Sequence, residues 1–128
     1  MILDTSAVVA LFLREPGHER LHAALAKASQ PGIGAATLAE AAIVLSSRLQ
    51  EDARPLLARF LTEAGVVVVP FDETHYAAAV GAWLRFGKGR HPAQLNFGDC
   101  LTYAVAKLAG EPLLCVGEDF PKTDLPLA

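Results

Sequence analysis

Apolar and polar positions along the chain fall into blocks that predict strand and helix in alternation. Residues 1–3 form a short apolar run ending at Asp4, as a buried first strand does. From Ser6 to Leu13, Val8, Val9, Phe12 and Leu13 lie at helical spacing. Pro16-Gly17 breaks this helix, 18–28 predicts a second one, and Pro31-Gly32 ends it. A short strand over 33–36 follows. Residues 37–49 then form an amphipathic helix with Leu38, Ala42, Leu45 and Leu49 along one stripe. Another helix, 52–64, carries Leu56, Leu57, Phe60 and Leu61 and stops at Gly65. The four consecutive valines of 66–69 are the strongest strand signal in the chain. Run length and flanking breakers predict that this strand is buried on both faces. Helix returns over 74–86, and 87–97 is a loop rich in Gly, Pro and basic residues. A helix over 98–109 has Leu101, Ala104, Val105 and Leu108 on one face, and a last strand, 113–116, leads into GEDFPKTDL.

This alternation predicts an α/β fold, with a mostly parallel sheet covered by helices on both faces. A chain of 128 residues without internal repeat or linker reads as one domain over 1–128. Apolar residues make up 52% of it, a high share for so small a domain, which predicts a face covered by a second copy or a permanent partner. Cys100 and Cys115 have neither CxxC nor metal-finger spacing, so a reducing, cytoplasmic location is expected. The apolar run from Ala7 to Leu13 is far too short to cross a bilayer, and no basic residue precedes it. No signal peptide and no membrane span are expected.

In open α/β sheets ligands bind beyond the carboxyl ends of the strands. Four acids fall at such places. Asp4 and Asp119 follow the first and last strands, Glu40 lies one turn into a helix after the second, and Asp99 opens a helix. Each has a plainer explanation. Asp4 is placed to cap the helix from Ser6. Glu40 completes a T-x-x-E capping box with Thr37. Asp99 suits the positive end of a helix, and Asp119 suits a turn after Gly117. Asp72 obeys the same positional rule and is assigned as a cap. Gathered at one point, the four acids would repel unless a divalent cation were present, and carboxylates with such a cation are the apparatus of phosphodiester hydrolysis. Ser6 is placed to orient a carboxylate or a water, with helix capping as its simpler role.

Net charge is -3, which alone argues mildly against a nucleic-acid partner. Setting aside four of the 14 acids as ligands leaves ten against 11 Lys and Arg, a near-neutral remainder that admits RNA. The one basic cluster, Arg85, Lys88, Arg90 and His91, stands on a glycine-containing loop able to follow phosphates. Spacing alone fits a solvated loop equally well. Trp83 and Phe86 read as core or interface, and His18, His22 and His75 are given no role.

MILDTSA, TLAEAA, GKGRHPAQLNFGDCLTYAVAK and LLCVGEDFPKTDL together resemble the PIN-domain ribonucleases, in particular the mycobacterial-type VapC toxins of toxin–antitoxin pairs. The resemblance spans almost the whole chain. It implies a three-layer α/β/α fold and a Mg²⁺- or Mn²⁺-dependent endoribonuclease. It matches Asp4, Glu40, Asp99 and Asp119 to the acidic quartet, with Asp4 and Asp99 as direct metal ligands and Ser6 as the hydroxyl near the first acid. It also implies a VapB antitoxin and homodimers or larger toxin–antitoxin assemblies. Cys115 replaces a bulkier apolar residue and is expected only to pack. Lys88, Arg90 and His91 are the candidate RNA contacts.

Rival classes fit less well. An aspartyl-phosphate phosphatase usually has a second acid where this chain has Ser6. A receiver-like domain needs a lysine directly after its last strand, and Leu113–Val116 is followed by Gly117. A binding module whose acids are only caps remains the non-enzymatic alternative.

Overall fold

The computed structural model describes all residues, 1–128. In chain order its elements are β1 (Ile2–Leu3), α1 (Thr5–Leu13), α2 (His18–Lys27), β2 (Gly32–Gly34), α3 (Ala35–Leu49), α4 (Arg54–Ala64), β3 (Val67–Val69), α5 (Glu73–Phe86), α6 (Phe97–Ala109) and β4 (Leu113–Leu114). A short 3₁₀ turn, Phe120–Lys122, follows. Every strand pairing is parallel, in the order β3-β2-β1-β4.

Side chains alternate across the sheet, as strand geometry requires. Ile2 and Leu113 enter a core with α5 and α6, while Leu3, Ile33 and Leu114 enter a second core with α1, α2, α3 and α4. Each core contains 15 buried residues, so the sheet is covered on both faces and the expected three layers are present. Gly34 lets β2 and α6 pack closely: a β-carbon there would stand 2.8 Å from Val105 Cγ2. No helix is long and apolar enough to cross a membrane.

Two expectations are corrected. The valine strand is not buried on both faces. β3 is an edge strand whose Val67 and Val68 are exposed, and only Val66 before it is buried. Four valines specify a strand, but its position in the sheet decides whether both faces are covered. The opposite edge, β4, is capped by the C-terminal segment, where the Leu113 amide donates to the Pro126 carbonyl at 2.9 Å. The expected stripe of α3 packs against the core, with Leu45 fully buried and Leu38, Ala42 and Leu49 half-buried, but its deepest line also runs through Thr37 and Ala41 rather than Leu38 and Ala42. α3 begins two residues before Thr37 and is packed between α1 and α6, which rotates the deepest line away from the most apolar one.

Candidate active site

Parallel strands bring the starts of α1, α3 and α6 and the segment after β4 to the carboxyl end of the sheet, and each carries one of the four acids. Asp4, directly after β1, is buried, and its Oδ2 accepts the Ser6 amide at 3.0 Å and the Ser6 hydroxyl at 2.6 Å. Ser6 Oγ in turn accepts the Val116 amide at 3.0 Å, which ties Asp4 to the chain leaving β4. Ser6 thus links the Asp4 carboxylate to the chain after β4.

Glu40 is not part of a capping box. The cap of α3 is Gly34, without a side-chain bond, and Glu40 Oε1 instead accepts the Thr5 hydroxyl from α1 at 2.5 Å. Thr37 is turned inward, its hydroxyl 2.9 Å from that of Thr102 in a buried pair. Thr37 lies one turn before Glu40 and Thr102 one turn after Asp99, so this pair joins α3 to α6 just behind the two acids.

Asp99 is the third residue of α6 and forms a capping box with Asn96. Its amide donates to Asn96 Oδ1 at 2.9 Å, and its Oδ2 accepts the Asn96 amide at 3.0 Å. The N-x-x-D spacing in LNFGD carries this signal, yet the role of Asn96 was not read from sequence. Asp119 opens the 3₁₀ turn, is exposed, and makes no side-chain cap bond. Asp72 has the cap role assigned to it, with its carboxylate accepting the Thr74 amide and hydroxyl.

Asp4, Glu40 and Asp119 all lie within electrostatic reach of Asp99. The Asp99 carboxyl is pushed up to about 6, first by burial and then by the charges of Asp4, Asp119 and Glu40, against the opposing Asn96 amide. No lysine, arginine or histidine pairs with any of them, since all seven ion pairs of the chain involve other acids. Asp4, Glu40 and Asp99 each use one oxygen for an anchor within the protein and leave the second without a hydrogen bond. These oxygens are not sealed away, because the sole buried side-chain polar atom without a partner is His18 Nδ1. The arrangement is open: as the side chains stand, no three of Asp, Glu, His or Cys form a metal-holding group. The unpaired carboxylate oxygens of Asp4, Glu40 and Asp99 are the donor type that hard divalent cations take, so the residues fit one.

Both cysteines are buried and free, with thiols raised mainly by burial, Cys115 to about 11. They are inert packing residues, Cys115 included. In the basic loop, Arg85 pairs with Asp124 at 3.5 Å. Arg90 lies over the Trp83 ring, 4.4 Å from its centroid. His91 Nδ1 accepts the Ala93 amide at 3.0 Å and its ring packs edge-on against Phe86. Of the three candidate RNA contacts, Lys88 and Arg90 are exposed, whereas His91 is half-buried and organises the loop itself. Phe86 is core and Trp83 is partly exposed.

A family model described as the PIN domain matches residues 1–125. Ribonuclease VapC36 of Mycobacterium tuberculosis is 54% identical over 126 residues, spanning 98% of this chain and 91% of that one. Among solved structures, Mycobacterium tuberculosis VapC20, described as a sarcin-ricin loop cleaving toxin, superposes with a TM-score of 0.79 at 20% identity and covers 99% of this chain and 97% of its own. VapBC2 from Rickettsia felis, bound to a DNA fragment from its promoter, gives 0.75 at 20% identity, covering 99% and 96%. With a match over nearly its full length and more than half its residues shared with a VapC ribonuclease, the chain belongs to the PIN-domain family and, within it, to the VapC ribonucleases.

Proposed function

We propose that this chain is the toxin of a toxin–antitoxin pair, an endoribonuclease that hydrolyses RNA phosphodiester bonds with Mg²⁺ or Mn²⁺ held at its acidic quartet. One observation carries the reading: four carboxylates from distant parts of the sequence share one end of the sheet with no cation paired to them. A purely structural set of caps has no reason to accept that mutual repulsion. A close relative is named a ribonuclease, and VapBC2 is a toxin of this fold with its antitoxin, which supports a VapB-type partner here.

Asp4 and Asp99 would hold the ion, with one oxygen of each fixed by the Ser6 hydroxyl and the Asn96 amide. When bound, the cation lowers the pKa of water and neutralises charge on the phosphate. Glu40 Oε2, free of hydrogen bonds, would take the proton of the water that attacks phosphorus as the P–O ester bond breaks and the leaving oxygen is protonated from solvent, and the Thr5 hydroxyl on Oε1 keeps the carboxylate aimed. Asp119, on the exposed side, completes the negative pocket. Cleavage of total RNA with mapped ends, in EDTA and in Mg²⁺ or Mn²⁺, beside Asp99→Asn, tests the reading. Cleavage that persists in EDTA or in the variant removes it.

The exposed Lys88 and Arg90 guide the RNA backbone. Neutralising both should weaken RNA binding and flatten the slope of log K against log salt by about 1.4, at roughly 0.7 per single-strand phosphate contact. An unchanged slope across a salt titration returns the loop to solvation.

A second copy covers the apolar face formed by α3, α5 and the start of α6. Ile43 there is 71% exposed and Phe97 79%, with Val80 and Trp83 beside them. Phe97→Asp should convert a dimer to a monomer in light scattering with little loss of thermal stability. A monomeric wild type at micromolar concentration counts against this interface.

A further inference from the structure

The Glu40 carboxylate lies directly against α6. A β-carbon built on Gly98 would stand 2.5 Å from Glu40 Oε2 and 3.0 Å from both Cδ and Oε1. A real β-carbon does not approach so closely. On its other side the same carboxylate is held by the Thr5 hydroxyl from α1. Glu40 therefore occupies a slot whose one wall donates a hydrogen bond and whose other wall is bare backbone.

We infer that Thr5 and Gly98 are positioning residues that form a cradle for Glu40, and that the missing side chain at position 98 is a requirement of catalysis rather than of folding. The distinction follows from what each change disturbs. Gly98 is the second residue of α6 and its backbone is not in the left-handed region, so alanine suits the helix better than glycine does. The atoms it would meet are the tip of a flexible side chain, which swings away at little cost to the fold. The fold survives, but Glu40 leaves the oxygen of Thr5 and its place among the acids. Gly34 presents the opposite case, because its imagined β-carbon meets Val105, a buried and stiff core residue.

The catalytic half of this inference rests on the nuclease reading, while the cradle itself is measurable without activity. Thermal unfolding of metal-free wild type, Thr5→Val, Gly98→Ala and the double variant forms a cycle. Thr5→Val should lower Tm by about 5 °C in wild type, as expected for losing a hydrogen bond to a carboxylate in a domain of this size. On the Gly98→Ala background it should have almost no effect, since Glu40 has already left. Additive effects would overturn the cradle. For RNA cleavage, Gly98→Ala should lose at least tenfold in kcat with KM little changed. Adding Glu40→Asp, which shortens the side chain by one methylene, should regain part of the loss, although Glu40→Asp alone impairs the enzyme. A Gly98→Ala variant that cleaves as well as wild type, or gains nothing from Glu40→Asp, would overturn the positioning role. A wild type that cleaves no RNA overturns the nuclease reading and the catalytic half with it, and leaves the unfolding cycle to judge the cradle.

Discussion

Asp99→Asn is expected to lose RNA cleavage by about a hundred- to a thousandfold while making the metal-free protein more stable at pH 7.5. The activity loss is of the size seen when a group that stabilises transition-state charge is removed. The stability gain has a definite sign. In the folded chain the Asp99 carboxyl is raised to about 6, against an ordinary value of 3.8. Below pH 3.8 it is protonated in both folded and unfolded states and costs nothing. Above pH 6 it is ionised in both, and the folded state carries the full penalty of burial and of three neighbouring carboxylates. Wild-type stability from this group therefore falls as pH rises from about 4 to about 6. Two pH units correspond to at most about 3 kcal/mol. Asp99 is only partly buried, and solvent screening reduces the expected gain to about 1 kcal/mol. Asparagine carries no charge and can still accept the Asn96 amide, so the capping box survives. Denaturant unfolding of both proteins at pH 4 and pH 7.5 checks the difference, which should be near zero at the lower pH. A variant less stable than wild type at pH 7.5 would mean that capping outweighs repulsion and that the quartet is not strained.

Mg²⁺ or Mn²⁺ should raise the melting temperature of wild type by about 10 °C at a hundredfold excess over Kd. That is the mass-action stabilisation of about 2.7 kcal/mol expressed in a domain of this size. A bound cation would offset the burial and, after it, the carboxylate repulsion that raise Asp99, so this stabilisation and catalysis would share one origin. The shift should shrink by more than half in Asp4→Asn and in Asp99→Asn. Metal-free Asp99→Asn should melt above wild type and metal-saturated Asp99→Asn below it, so the two curves cross as the ion is added. Scanning calorimetry across a metal titration reads this crossing. An equal shift in all three proteins would remove both residues as ligands.

Capping and ligation are not alternatives for Asp4 and Asp99. Each spends one oxygen on a helix start and keeps the other free. The helix that a carboxylate caps is also what holds it still, so the plain reading of these residues and the catalytic one describe the same geometry. Glu40 is different. Its T-x-x-E spacing with Thr37 is a valid capping signal, but the helix begins earlier and Thr37 faces Thr102 in the core. Glu40 is left for Thr5, 35 positions away.

Local pattern alone yielded the alternation of strands and helices and the placement of Asp4 at a strand end, because side-chain period and breakers act over a few residues. The motifs around the four acids likewise carried the family, since they persist in order along the chain. Tertiary structure decided what depends on neighbours remote in sequence. It made the valine strand an edge, because strand order is set by pairing and not by composition. It turned Thr37 inward and Glu40 toward Thr5, because α3 packs between two helices whose positions its own residues do not encode. It also gave Gly98 its meaning. A glycine in a first helical turn is unremarked in sequence, and only the approach of a carboxylate from another helix shows what the absent side chain makes room for.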